Sequence, residues 1–216
     1  MDLESIPPIT GAWAALTLAV AVLEHTHTIS SYQLFYTPTL VFRKHQYWRL
    51  ITTFLYFGPL GLDFIFHLFF FMRYSRMLEE NSFGGRSGAR AGYVTLLLFA
   101  ATCLLIISPL TAQPFLGSPL AFVLVYIWAR RNRHVRLSLF GLVTVTAPYL
   151  PWALVLFGWG LHGSLRAVIG DLAGLAVGHL YYFLVDVWPR EFRSGGRNLL
   201  ATPNFLVRLL DGPIGN

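Results

Sequence analysis

The sequence contains few charged residues. Only 12% of its 216 residues are Asp, Glu, Lys or Arg, whereas soluble domains carry about twice that fraction to cover their water-facing surfaces. Apolar residues make up 55% of the chain, and the mean hydropathy is +0.57. Aromatic residues, at 16%, are abundant, as in proteins whose Trp and Tyr side chains lie at membrane–water interfaces. These values argue against a soluble domain and predict a membrane protein.

The chain also has only one cysteine, Cys103, which lies in an apolar run. A single cysteine excludes an internal disulfide and makes a metal site improbable. His25 and His27 are close in sequence, but two ligands at the end of a helix without a third make a weak metal site. We therefore predict neither a metal nor a cofactor.

The formal net charge is +6. Arginine carries almost all of the positive charge, because Lys44 is the only lysine. The arginines form short clusters between apolar blocks and no continuous basic face. Such clusters are typical of the loops of membrane proteins, whereas nucleic-acid binding needs a basic face. No nucleic-acid partner is predicted.

Six apolar segments are candidates for membrane spans, which need roughly 20 residues, or fewer where the bilayer is thin. The predicted spans are residues 11–29, 58–77, 91–108, 115–129, 137–160 and 165–188. Together they define a membrane domain over 1–188, followed by a short tail over 189–216. Pro148 and Pro151 predict a kink in the fifth span.

Arginine clusters follow the second, fourth and sixth predicted spans. Their members are Arg73, Arg76, Arg86 and Arg90; Arg130, Arg131, Arg133 and Arg136; and Arg190, Arg193, Arg197 and Arg208. All three clusters fall on one side of the membrane, which the positive-inside rule assigns to the cytosol. An even number of spans then predicts that both termini are cytosolic.

The loop between the first two spans, residues 32–55, mixes aromatic and aliphatic side chains with basic ones. This mixture favours a segment that lies in the membrane interface. An ordinary extracytoplasmic loop with incidental aromatic residues is the alternative.

Five stretches resemble the derlin family: residues 41–52, 73–80, 124–128, 149–152 and 178–181. The likeness spans nearly the whole chain in the right order. It implies an all-α membrane protein of the endoplasmic reticulum, with a six-transmembrane-helix rhomboid-like bundle and an interfacial amphipathic first loop. The first stretch contains the family's Trp-Arg pair, here Trp48 and Arg49.

The relation to rhomboid proteases allows their catalytic residues to be compared with this sequence. Those enzymes use a serine in a Gly-x-Ser-Gly motif and a histidine three residues before a Gly-x-x-x-Gly motif. Here Gly174 and Gly178 form the glycine pair, and Asp171 precedes it by three residues. A carboxylate cannot relay a proton as imidazole does. Ser118 is present, but Pro119 replaces the second glycine. The resemblance implies a pseudoprotease with no catalytic residues.

Ionisable residues inside the predicted spans indicate a polar cavity. Asp63 and His67 lie one helical turn apart where rhomboid proteases stabilise an oxyanion, and a carboxylate there would repel one. An ionisable group within a span costs at least ~2.5 kcal/mol, so it usually lines a cavity or has a partner. We predict a cavity formed by Asp63, His67, Ser118 and Asp171. The alternative is that Asp171 only bonds a neighbouring hydroxyl.

Gly170, Gly174 and Gly178 recur every four residues in the sixth span. Small residues at this spacing let two helix backbones approach closely in lipid. The glycines are therefore predicted to form a helix-packing motif in the core of the fold.

Three functions are compatible with a membrane bundle of this kind. The derlin resemblance implies a factor that helps misfolded proteins leave the endoplasmic reticulum for cytosolic degradation, with misfolded substrates, lipids and a membrane ubiquitin-ligase complex as partners. It leaves open whether the chain also forms a homo-oligomer. Short spans and a polar cavity would assist by thinning the bilayer. A rhomboid-type intramembrane serine protease is the alternative, and a small-solute transporter is disfavoured because no inverted repeat is evident.

Overall fold

The computed structural model describes residues 6–82, 89–139, 143–163, 165–191 and 199–211. The predicted arginines Arg86, Arg193 and Arg197, and the tail residues 192–198 and 212–216, lie outside the described residues. The helices are α1 (Pro8–His25), α2 (Ser31–Leu34), α3 (Arg49–Leu55), α4 (Leu62–Met77), α5 (Ala89–Thr111), α6 (Gly117–Arg131), α7 (Leu150–His162), α8 (Leu165–Tyr182) and α9 (Asn204–Leu210). Strands β1 (Arg136–Leu139) and β2 (Val143–Thr146) pair in an antiparallel hairpin.

Helix α6 lies at the centre of the bundle. Every residue from Pro119 to Ala129 is buried, and α6 packs against α8, α4, α7, α5 and α3. This helix is apolar around its whole circumference, which is typical of a helix in a protein core or in a membrane, and here other helices surround it. Its central position brings the side chains of the predicted cavity residues within reach of one another.

Three of the described helices are long and apolar enough to cross a membrane: Pro8–His25, Arg90–Thr111 and Val168–Arg190. The third combines α8 with a π-helical turn at Phe183–Val187 and a 3₁₀ turn at Trp188–Arg190. Helices α4, α6 and α7 are shorter, with 16, 15 and 13 residues. The predicted total of six spans therefore stays a prediction.

The region before α7 differs from the predicted fifth span. The sequence predicts a kinked helix over 137–160, but α7 begins only at Leu150 and the hairpin β1–β2 precedes it. Residues 143–146 read Val-Thr-Val-Thr, and β-branched side chains favour strands over helices. Pro151 lies in the first turn of α7, where a proline starts a helix without kinking it. Over the residues that the structure describes, the fold is thus mostly helical with one small hairpin, and it is not all-α.

At the N-terminal ends of two helices, the backbone N–H groups donate hydrogen bonds to carboxylates that are distant in sequence. The buried carboxylate of Glu79 accepts from the backbone N–H groups of Ile9 and Thr10, at 3.1 and 2.9 Å, and from the Thr10 hydroxyl at 2.7 Å. Asp211 does the same for α5, since it accepts from the backbone N–H groups of Arg90 and Ala91 at 3.1 and 3.0 Å. The first turn of a helix leaves such N–H groups without internal partners, so both carboxylates act as caps.

Candidate functional site

A cavity of about 260 Å³ lies between α4, α6, α7 and α8. The four residues that the sequence predicts for a polar cavity, Asp63, His67, Ser118 and Asp171, all line it. Its walls are otherwise mainly aromatic and aliphatic, formed by Tyr56, Phe57, Phe66, Phe70, Phe115, Phe122, Val125, Leu154 and Phe157. A small group of polar side chains in apolar walls is the usual composition of a ligand or substrate pocket.

Ser118 and Asp171 are paired across the α6–α8 interface. The Ser118 hydroxyl donates a hydrogen bond to an Asp171 carboxylate oxygen at 2.9 Å, and Asp171 is buried. The serine stands in the first turn of α6, opposite the helix position where rhomboid proteases carry their histidine. The partner of the serine is therefore a carboxylate, which is a much weaker base than imidazole.

Asp63 and His67 form the other polar pair of the cavity, one turn apart on α4. The His67 Nδ1 atom lies 3.3 Å from the Asp63 carboxylate and 3.0 Å from its backbone carbonyl. The imidazole ring also stacks on Phe57, with 6.2 Å between ring centroids. The cavity therefore contains two carboxylates and one imidazole, and it attracts cations or hydrogen-bond donors more than anions.

Gln113 is a cavity residue that the sequence analysis does not identify. It lies in the loop between α5 and α6. Its side-chain amide donates to the carbonyl of Arg166 at 2.5 Å. Arg166 lies one helical turn before Gly170, the first residue of the glycine stripe formed by Gly170, Gly174 and Gly178. Its only sequence signal is that it is an uncharged polar residue inside a long run without charged residues. This signal does not distinguish a cavity residue from an ordinary loop residue.

The three predicted glycines line the face of α8 that meets α6 and the loop before it. A Cβ atom at Gly174 would overlap the Pro119 carbonyl oxygen, and one at Gly178 would lie 3.0 Å from the Tyr126 Cβ. At Gly170 the nearest atoms belong to the flexible Gln113 side chain, at 3.0 Å. Close contact is therefore tightest at Gly174, where a backbone atom opposes the glycine.

Arg49 is buried and holds the first loop together. Its guanidinium donates to the carbonyls of Tyr32 and Phe35, both at 2.8 Å, and to the side-chain oxygen of Gln46 at 2.6 Å. It also lies over the Phe35 ring at 4.9 Å from the centroid. The two carbonyl partners lie within α2 and directly after it. The Glu79 carboxylate is not a partner of Arg49, because it caps α1.

Trp48 lies next to Arg49 but points outward. Its side chain is 54% exposed, and its indole N–H reaches the Gln33 carbonyl at 3.4 Å. Other large apolar side chains of the same loop are also exposed, namely Tyr32, Phe42, Tyr47 and Ile51. This exposed group fits the headgroup region of a bilayer, where Trp and Tyr are enriched.

The first loop is also attached to the loop that enters α6. The backbone N–H of Tyr36 and the hydroxyl of Thr53 both donate to the Pro114 carbonyl, at 2.9 and 3.0 Å. The Leu116 N–H donates to the Thr53 carbonyl at 2.9 Å. A displacement of the first loop would therefore move the start of α6, where Ser118 lies.

Metal binding has no evident site in the described part of the chain, since no group of three or more His, Cys, Asp and Glu side chains lies close together there. The polar groups of the cavity are arranged to hold a polar or cationic group among apolar walls.

Comparison with known proteins agrees with the sequence resemblance. The model of the Der1-like family matches residues 6–204. Derlin-2.2 of Arabidopsis thaliana is 40% identical to this chain, over 98% of this chain and 88% of the relative. Derlin-2 of Oryza sativa subsp. japonica is 41% identical, over 95% and 84%. The probable derlin-2 homolog of Dictyostelium discoideum is 36% identical, over 97% and 82%.

Proposed function

Since this chain belongs to the Der1-like family, the derlins, we propose that it helps misfolded proteins leave the endoplasmic reticulum for degradation in the cytosol, without a catalytic step. In this proposal it is a multi-pass protein of that membrane, with a rhomboid-like bundle of six spans and cytosolic termini. Its partners are misfolded substrates, lipids and a ubiquitin-ligase complex, with a homo-oligomer as one arrangement of the working unit.

The pairing of Ser118 with Asp171 is the observation that carries the non-catalytic part of the proposal. In a protease the serine would need an imidazole partner to take its proton and pass it to the leaving amine. Here its partner is a carboxylate that is 8% exposed and accepts the serine's own hydrogen bond. The geometry favours a polar contact between two helices over an activated nucleophile.

Short helices support local thinning of the bilayer. Helices α4 and α7, which carry exposed apolar side chains, have 16 and 13 residues, which correspond to roughly 20–24 Å at about 1.5 Å per residue. The hydrocarbon core of an ordinary bilayer is about 30 Å thick. A bundle containing such helices would compress the lipid around it, and a thinner barrier favours passage of a polar segment.

The cavity would give that polar segment a place inside the hydrocarbon layer. Its Asp63, His67, Ser118 and Asp171 side chains offer hydrogen-bonding groups where lipid offers none. An unsatisfied polar group in hydrocarbon costs several kcal/mol, so even a few such partners lower the barrier substantially.

The first loop would set the position of the bundle in the lumenal leaflet. Arg49 fixes the fold of the loop from inside, and Trp48 with its exposed neighbours would lie among the lipid headgroups. The contacts of the loop with Pro114 then transmit that position to the start of α6. In this proposal the Trp-Arg pair controls placement and takes part in no chemical step.

The proposal is tested in cells that lack their own derlin activity, by following the decay of a misfolded lumenal protein after synthesis is stopped. We expect this chain to restore decay, and the double variant Asp63→Asn with Asp171→Asn to insert normally but to restore it poorly. Glu80→Gln is the matched control, because it removes a carboxylate that lies outside the cavity in an exposed pair with Arg76.

A serine-directed phosphonate distinguishes this reading from the protease alternative. We expect no labelling of Ser118 and no shortened form of the substrate. Labelling that disappears in Ser118→Ala, together with a cleavage product that disappears with it, would establish an intramembrane protease instead.

A further inference from the structure

Helix α9 is attached to the beginning of α5, one of the helices long enough to cross a membrane. Its Leu206 and Val207 side chains are buried against Ala91, and Asp211 at its end caps the first turn of α5. The beginning of a membrane-spanning helix lies at the boundary between hydrocarbon and headgroups. Helix α9 is therefore held at the level of that boundary.

The side chains of α9 form three strips around its axis, at roughly 100° per residue. The first strip faces the protein and contains Leu206, Val207 and Leu210. The second contains Phe205 and Leu209, which are 67% and 76% exposed. The third is polar and contains Asn204 and Arg208, both exposed.

We propose that α9 is a membrane-interface helix whose exposed apolar strip, Phe205 and Leu209, inserts among the lipid acyl chains of the leaflet in which α5 begins. Such a location requires both an exposed apolar strip, for the acyl chains, and an exposed polar strip, for headgroups and water, beside the strip that faces the protein. Helix α9 has all three. Two arginines at the same level, Arg208 on α9 and the exposed Arg90 at the start of α5, complement the phosphate groups of that leaflet.

Helix α5, to which α9 is attached, also exposes large apolar side chains. Along α5, Leu98, Ile106 and Leu110 are exposed by 54%, 68% and 86%, which is expected for a span whose outer side meets acyl chains. The inference rests on these contacts and not on the proposed role in protein export.

Site-directed spin labelling in bilayers tests the proposal. The only native cysteine is removed as Cys103→Ala, and single labels are placed on α9 by Leu209→Cys and, as the matched control on the polar strip, by Asn204→Cys. The full chain is reconstituted in vesicles of phosphatidylcholine with phosphatidylserine. We expect the label at 209 to be more accessible to oxygen than to a water-soluble nickel chelate, by several-fold relative to the label at 204.

Equal access of the nickel chelate to both labels would overturn the proposal, because it would place the whole helix in water. Strong dipolar broadening between labels at 209, relieved by dilution with unlabelled protein, would overturn it in favour of a contact between two copies. A third variant, Arg208→Gln on the Leu209→Cys background, tests the headgroup contact. We expect the oxygen preference at 209 to fall in vesicles with phosphatidylserine and to change little in pure phosphatidylcholine.

Discussion

Alanine substitutions along the glycine stripe of α8 should produce a graded loss of stability. At Gly174 the new methyl group would overlap the Pro119 carbonyl oxygen, a backbone atom at the start of α6 that cannot move aside without shifting the helix. At Gly178 it would meet the Tyr126 Cβ at 3.0 Å. At Gly170 it would meet the end of a flexible side chain, Gln113, which can rotate away. The expected order of destabilisation is 174, then 178, then 170.

The magnitude follows from two opposing effects. Overpacking in a tightly packed interior destabilises by typically about 1–3 kcal/mol, while replacing a glycine by alanine within a helix stabilises by up to about 1 kcal/mol. At Gly174 the overlap is with a backbone atom, so the overpacking cost should lie at the upper end of its range and the net loss should be about 1–2 kcal/mol. Gly170→Ala should be close to neutral. At roughly 2–4 °C per kcal/mol for a chain of this size, the first change lowers the Tm by on the order of 2–8 °C.

Intrinsic tryptophan fluorescence during heating in mild detergent provides the measurement, since the chain has six tryptophans. Gly160→Ala on α7 is the matched control, because a Cβ atom there meets nothing within 4 Å. It should keep or raise the Tm. If Gly174→Ala melted at the same temperature as Gly160→Ala, the close contact between α6 and α8 would be refuted as a source of stability.

Four further changes follow from the first loop and the helix caps. Arg49→Lys keeps the charge but cannot reach three oxygen acceptors at once, so it should insert normally yet fail to restore substrate decay; full restoration would contradict this. In a variant with Trp48 as the only tryptophan, lipids brominated near the headgroups should quench its fluorescence, and quenching by aqueous agents alone would place the loop in water. Glu79→Ala leaves three donors without their acceptor and should lower the unfolding free energy by about 1–3 kcal/mol, whereas Glu80→Ala should be nearly silent. Asp211→Ala should speed hydrogen exchange at the start of α5 by about fivefold, for a cap worth ~1 kcal/mol; unchanged exchange would show that the cap is dispensable.

Residue patterns in the sequence account for most of the cavity and the glycine stripe. Ser118 and Asp171 are 53 residues apart, and their shared location follows only from the rhomboid relationship. The glycine stripe has its own physical signal, because a four-residue repeat places small side chains on one helix face. Neither inference needs precise helix boundaries, and both therefore tolerate errors of a few residues at helix ends.

Features that depend on backbone acceptors or on strand propensity have weaker sequence signals. The partners of Arg49 are mainly carbonyl groups, which every residue possesses, so no pattern of side chains reveals them. The hairpin β1–β2 was hidden by its apolar composition, since hydropathy counts valine as favourable to a span whether the chain forms a helix or a strand. The alternation of Val and Thr at 143–146 is the signal that distinguishes the two.

The capping of α1 by Glu79 has a consequence for the order in which the protein is made. The acceptor lies 69 and 70 residues after the N–H groups that it serves, so at about 5–20 residues per second a ribosome needs roughly 3–14 s to supply it. During that interval the first turn of α1 must rely on water or on the insertion machinery for its hydrogen bonds. Only when the turn after α4 reaches the beginning of α1 does α1 acquire its permanent cap. In a newly made chain, the N-terminal cap of the first helix therefore forms only after the fourth helix has packed in its native position.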